Sequence, residues 1–174
     1  MPGSPGHLAR RFFDVVSAQP LTSSEVEIVN ERLRSELAEV FFAQSPADQR
    51  HGFHAAQIAS VRGGAPDTVV AALLHDIGKR HARLGAIGRS VASVLIVLHL
   101  PLTERMRAYR DHGLTGAVEL ARIGAPSLAI DFAMHHHGRK PPTIDHDMWD
   151  LLVEADEPPK ALGRRHGRIT STGT

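Results

Sequence analysis

The chain contains no cysteine. Disulfides and thiolate metal sites are therefore excluded, and histidine and carboxylate remain as the strong metal ligands. Such a composition suits a reducing compartment, and a cytoplasmic location is the expectation. Long hydrophobic runs are also missing. The longest, Val91 to Leu98, is interrupted by Ala92 and Ser93 and soon meets Pro101. A membrane span needs roughly 18 apolar residues, so no membrane is expected as a partner. Residues 1–7 include no apolar stretch of the kind a secretory signal carries, and none is expected. Charge of one sign is lacking too: 20 Lys and Arg against 19 Asp and Glu leave a formal net charge of +1. A binder of polymeric nucleic acid normally shows a strong basic excess, so that class is set aside.

Apolar residues at helical spacing are what the chain has instead. With 174 residues it can form one domain with a proper core. Residues 1–20 read as a flexible N-terminal segment, with a short helical piece over 11–18. Residues 21–44 read as one helix packing on the core. Thr22 or Ser24 caps it, with Glu25 or Glu27 completing a capping box. Val26, Val29, Leu33, Leu37 and Val40 form its apolar face. Ser45-Pro46 starts the main domain, residues 45–157, with a helix to Arg62 whose facing side runs through His51, Ala55, Ile58 and Arg62. Pro66 opens the next helix, which ends in His75-Asp76. Gly78 to Gly88 reads as a Gly-rich basic loop, and Val91, Val94, Leu95 and Leu98 mark another amphipathic helix. Further helices span residues 103–110, 114–123, 126–137 and 145–156, and Trp149, Leu152 and Val153 form the packing face of the last. Residues 158–174 read as a disordered tail. No strand and no repeat is visible, and the architecture is an all-α compact bundle.

Twelve histidines are the conspicuous number. His7, His81, His146 and His166 fall in tails or polar loops and read as solvated, and His99 as a capping or packing residue. The others are placed. Ala71-Ala72-Leu73-Leu74-His75-Asp76-Ile77-Gly78-Lys79 delivers a His-Asp pair at the end of an apolar run. His51 precedes it, with His54 one turn away as an alternative. His112, His135-His136-His137 and Asp156 follow. Imidazole and carboxylate together suit a borderline or hard divalent metal, and a carboxylate can bridge two. The triple histidine leaves one register open. Gly138 favours His136 and His137 as the pair at the helix end, with His135 outside them.

Leu73-Leu74-His75-Asp76-Ile77-Gly78-Lys79, in the order H…HD…H…HH…D, resembles the HD-domain superfamily of metal-dependent phosphohydrolases over residues 45–157. It resembles the form with two adjacent downstream histidines. The resemblance implies an all-α HD bundle and a hydrolase acting on phosphate esters. It implies one metal on His51, His75, Asp76 and Asp156, and a second on His112, His136 and His137, with Asp76 shared and catalytic. Iron or manganese is expected before zinc, nickel or cobalt. Some relatives with two metals add a carboxylate one turn before the first histidine; that position is Ala47 here, and Asp48 is misphased. Lys79, where related phosphodiesterases place a phosphate-contacting lysine, is the expected catalytic cation. Arg80, Arg83, His135 and Arg139, with Arg89, Arg110 and Lys140 nearby, are expected to line the side of a small anionic phosphorylated substrate, such as a nucleotide. Gly138-Arg139-Lys140-Pro141-Pro142 stands where cyclic-di-GMP-cleaving relatives carry Gly-Tyr-Pro. The ligand pattern is similar to that of cyclic-di-AMP phosphodiesterases. The superfamily also includes dinuclear iron oxygenases, and a nucleotide-binding module without turnover is the non-enzyme alternative.

Overall fold

The computed structural model describes residues 19–157. Every regular element among them is a helix: α1 (Ser23–Arg32), α2 (Ser35–Phe42), α3 (Pro46–Val61), α4 (Pro66–Leu74), α5 (Lys79–Ala82), α6 (Ala86–Val97), α7 (Glu104–Arg110), α8 (His112–Arg122), α9 (Ser127–His135) and α10 (His146–Asp156). The expected all-α class holds. The helical piece at 11–18, His7, His166 and the tail from residue 158 lie outside the described residues. No described helix is long and apolar enough to cross a membrane.

The centre of the bundle is α4, in which every residue from Thr68 to Leu74 is buried. A helix that is apolar on all sides has no face for water and must be surrounded. Here α3, α9 and α10 pack around it. Pro66, at the first helical position, lacks only a donor that would be unsatisfied there anyway. Its C-terminal end therefore emerges in the middle of the molecule, and that end carries His75 and Asp76.

Several elements depart from the sequence reading. The N-terminal helix is two helices, broken at Leu33-Arg34, both of which are extended (Leu33 φ −110°, ψ 134°). No glycine or proline marks the break. Arg34 is drawn off the helix by a tertiary contact: its Nη2 donates to the carbonyls of Ile123 (3.0 Å) and Gly124 (2.7 Å) at the end of α8. A cation is favourable there because those carbonyls lack helical partners. The Thr22–Glu25 capping box is formed. On α3 the buried side is Gly52, Phe53, Ala55, Ala56 and Ala59, whereas Arg62 is exposed. Gly52 permits the close approach, since a Cβ there would stand 2.8 Å from the Leu73 carbonyl oxygen of α4.

The basic loop is largely helix. Lys79–Ala82 forms a turn of helix closed by Arg83 in the left-handed region (φ 49°), and α6 begins at Ala86. His81, read as solvated, lies 2.9 Å from Glu119 Oε2, and Arg80 pairs with the same carboxylate, so α5 is tied to α8. On α6 the named apolar face points outward: Val91, Val94 and Leu98 are exposed and Ala92 is the buried residue. His99 (φ 54°) closes that helix, with Leu100 N bonded to the Leu95 carbonyl, which is the expected capping role.

The HD turn is locked against α8 at Gly78. A Cβ on Gly78 would overlap the His112 carbonyl oxygen and come within 2.8 Å of Gly116 N. Both obstacles are backbone and cannot rotate away. Gly78→Ala is therefore expected to destabilise the fold by on the order of 3 kcal/mol, read as a lowered urea midpoint with unchanged slope. A variant as stable as the parent would show that the turn and α8 are not packed this closely.

Candidate metal centre

His75 is the C-cap of α4, so the helix hands His75 and Asp76 to the core as it ends. Asp76 is 1% exposed, and its two oxygens look in different directions. Oδ1 lies 3.2 Å from His112 Nε2 and 3.4 Å from His136 Nε2. Oδ2 lies 3.4 Å from His75 Nε2 and 3.6 Å from His51 Nε2, and it accepts from Lys79 Nζ. Asp156 Oδ1, at the end of α10, approaches His51 Nε2 (2.8 Å) and His75 Nε2 (3.0 Å). Two sets result, His51, His75, Asp76 and Asp156, and Asp76, His112, His136 and His137. Within each, one ligand atom per residue lies within 4.8 Å of the others.

The three buried histidines share one local device. Nδ1 of His75, His112 and His136 donates to the carbonyl three residues earlier, Ala72 (2.8 Å), Tyr109 (2.6 Å) and Ala133 (2.9 Å). A carbonyl only accepts, so Nδ1 carries the hydrogen, and a neutral ring then presents the lone pair of Nε2. Each ring is thus oriented by a carbonyl at the end of the helix that precedes it, as metal-binding imidazoles require.

That orientation leaves a deficit. Asp76 Oδ1, His112 Nε2 and His136 Nε2 are buried and lack hydrogen-bond partners. Burial lowers the pKa of His136, which keeps its ring neutral. A lone pair on nitrogen therefore faces a lone pair on carboxylate oxygen, an arrangement that is unfavourable unless a cation lies between them. With His137 the set offers three nitrogens and one oxygen, donors that a borderline divalent cation accepts. The residues present fit a metal.

The electrostatics of the other set agree. Burial alone would raise the carboxyl of Asp76, yet Lys79 and His75 hold it well below the usual range. Asp156 is likewise held low against burial by His75 and by hydrogen bonding with His51. Burial disfavours a charged His75, but Asp76 and Asp156 together push it up to about 10. A buried and a half-buried carboxylate thus demand positive charge, as a proton or as a metal ion. His137, the exposed member, has its ring 3.9 Å from that of His136. Desolvation, then His136 and Lys79, lower it to about 3, so it too stays a neutral donor.

The structure brings together all seven residues expected as ligands, and it separates the alternatives. His54 is exposed and belongs to neither set, as does His135. Lys79 is buried, 6% exposed, and faces Asp76 rather than standing in a loop. Burial lowers its pKa, but the charge of Asp76 outweighs this and the net direction is upward. Arg80 is taken up by Glu119, Arg110 by Asp111, and Lys140 by the Ile144 carbonyl. Arg83 and Arg139 are exposed.

One pair near the site was missed. Asp48 is 4% exposed and receives Arg89 in a two-pronged pair (2.5 and 2.7 Å), with Ser45 Oγ on the same carboxylate (2.7 Å). It lies three residues before His51 on α3 and braces that helix against α6. Ser45-Pro46-Ala47-Asp48 signalled a cap, but nothing in the local sequence signalled Arg89, 41 positions away. Tyr109 was also missed. Its ring stacks on His112 (centroids 5.8 Å, 30°), and its carbonyl orients that histidine.

Metal binding is expected to raise thermal stability. At a free Mn2+ concentration about a hundredfold above Kd, linkage adds about 2.7 kcal/mol. For a chain of this length that raises Tm by roughly 5–10 °C, reversed by a chelator and lost in Asp76→Ala and Asp156→Ala. An unchanged Tm with Mn2+, Fe2+ and Zn2+ would exclude a metal centre.

No curated protein sequence and no solved structure matches the chain. The model of one family, the HD domain, matches residues 50–164. That span starts one residue before His51 and includes every member of both ligand sets. The chain belongs to the HD domain family, a superfamily of metal-dependent hydrolases.

Proposed function

We propose that the protein is a two-metal phosphohydrolase that cleaves a phosphate ester of a small anionic substrate such as a nucleotide. One observation carries the two-metal reading: the oxygens of Asp76 are divided, Oδ1 toward His112 and His136, Oδ2 toward His75 and His51. A carboxylate so placed serves both ligand sets at once. Iron or manganese suits ligand sets made only of imidazole and carboxylate.

His51, His75, Asp156 and Asp76 would hold one cation, and His112, His136, His137 and Asp76 the other. Bound there, the pair would lower the pKa of a water and polarise the phosphoryl oxygens. The chain's own contribution is orientation and charge. The helix-end carbonyls of Ala72, Tyr109 and Ala133 keep three rings aligned without rearrangement during the reaction. Lys79 supplies a fixed ammonium beside Asp76, where it favours negative charge moving onto the leaving oxygen. Arg83 and Arg139 have exposed guanidinium groups available to more distant phosphates.

The test is anaerobic purification with elemental analysis, then hydrolysis of nucleotides and cyclic dinucleotides with oxygen excluded. Close to two metals per chain and anaerobic phosphate-ester cleavage are expected. One metal or fewer after reconstitution would refute the two-metal centre. Activity that requires oxygen would assign the chain to oxygenase chemistry.

The register of the triple histidine yields a separate expectation. His136→Ala and His137→Ala should each lose activity and about half of the metal, while His135→Ala keeps its metal. The reverse pattern for His135 and His137 would shift the ligand pair by one residue.

Lys79 separates reaction chemistry from metal holding. Lys79→Ala should retain metal, because an ammonium is not a ligand, and lose about a hundredfold or more in rate. Lys79→Arg should recover only part, since a planar guanidinium does not reproduce a compact ammonium. Rate and metal content measured on one preparation decide this, and a Lys79→Ala rate within a few-fold of the parent would remove Lys79 from the chemistry.

A further inference from the structure

Among its twelve residues, α6 fully buries only Ala92. Ile87, Val91, Val94 and Leu98 are 71%, 43%, 39% and 59% exposed. Their spacing of four, three and four residues sets them in one line along the helix, the repeat of a helix–helix seam. Beside that line lie Gly88, Ser90, Leu95 and Val97, all uncharged. The single charge of the helix, Arg89, is turned the other way and engaged by Asp48 at 2.5 and 2.7 Å. A helix of this length is marginal in water on its own and depends on packing of its apolar face. In this helix the larger apolar face is the outer one.

The absence of charge selects the occupant. Helix seams choose foreign partners through charged residues flanking the apolar line, and α6 has none there. Within α6 an acidic or basic macromolecule finds no counter-charge on the apolar face, and an anionic bilayer finds no Lys or Arg of the helix on it. A second copy of the same face meets neither like charge nor a buried unpaired charge. With Val97 (59% exposed) and Leu100 (47%) beside the seam, a twofold contact would cover about 1,000 Å², the lower bound for a specific interface.

We propose that α6 is a self-association surface, on which two copies pack α6 against α6 across a twofold axis along Ile87, Val91, Val94 and Leu98. The contact also bears on the metal centre. Arg89 and Asp48 connect α6 to the first turn of α3, so pairing of two α6 helices braces the helix that carries His51. The proposal is independent of the reaction catalysed.

Sedimentation equilibrium of the full chain over a concentration series tests it. The parent is expected as a dimer at micromolar concentration. Val94→Glu should raise the dissociation constant at least about tenfold, with helical content unchanged. Val118→Glu, on α8 and similarly exposed (43% for the native residue), should leave the dimer intact. A crosslink supplies a second readout: in a chain without cysteine, Val91→Cys should form a disulfide-linked dimer on mild oxidation, and Val118→Cys should not. A monomeric parent, a Val94→Glu dimer as tight as the parent, or a dimer broken by Val118→Glu alone would each overturn the proposal. A parent that stays monomeric and floats with phosphatidylcholine vesicles would assign the face to a bilayer instead.

Discussion

A carboxylate withdrawn from water must be met by positive charge or by donors, and Asp76 is withdrawn almost completely. Its position follows from the helix that delivers it. Because α4 is apolar on every side, packing forces it to the centre, and its last turn then ends among the other helices rather than at the surface. Around that end the chain gathers imidazoles whose Nδ1 hydrogens are already committed to backbone carbonyls. The lone pairs that remain point at the carboxylate. Lys79 meets Oδ2 of the carboxylate, and the groups gathered at Oδ1 form a set that fits a metal ion.

The same requirement explains which helices must stay in register. His51 and Asp156 are 105 residues apart in sequence and meet at 2.8 Å, so α3 and α10 have to lie side by side over α4. An ion pair between Arg62 and Glu154 joins the same two helices further along. Because both of those side chains are exposed, that pair adds little to stability. Burial of Ala55, Ala56 and Ala59 along α3, and of Trp149, Leu152 and Ala155 on α10, supplies the attraction. Small residues on α3 bring its backbone close, which sets the reach of His51 toward Asp76.

Legibility in the sequence followed the range of the determining contact. Helix ends marked by Ser45-Pro46, Thr22 with Glu25 and Pro66 were readable because capping is settled within four residues, whereas α9 stops at His135, two residues short of the end that Gly138 suggested. The seven clustered candidate ligands were readable because their types and order carry a family resemblance, and the structure adds how the two oxygens of Asp76 are divided. The break at Leu33-Arg34 was not readable, since it depends on carbonyls at Ile123 and Gly124. Nor was the helical turn at Lys79–Ala82, which Glu119 of α8 holds through Arg80 and His81. The orientation of α6 failed for another reason. Periodicity identifies an apolar face but not which side of the molecule it meets, and here a buried Arg89–Asp48 pair turns the apolar line outward. Pairing of a charge across 41 residues leaves no local trace.

Lys79 shows stability and reactivity acting on the same atom. Its ammonium is the nearest positive charge to Asp76 Oδ2, and the pair offsets the desolvation of both groups. If His51, His75 and Asp156 hold a metal ion as proposed, that ion would share the oxygen with the ammonium. The ammonium would remain on α5 beside Asp76, with an anionic substrate as a further partner. The contact that stabilises the fold would in that way also keep a cation beside the position where the proposed reaction develops negative charge.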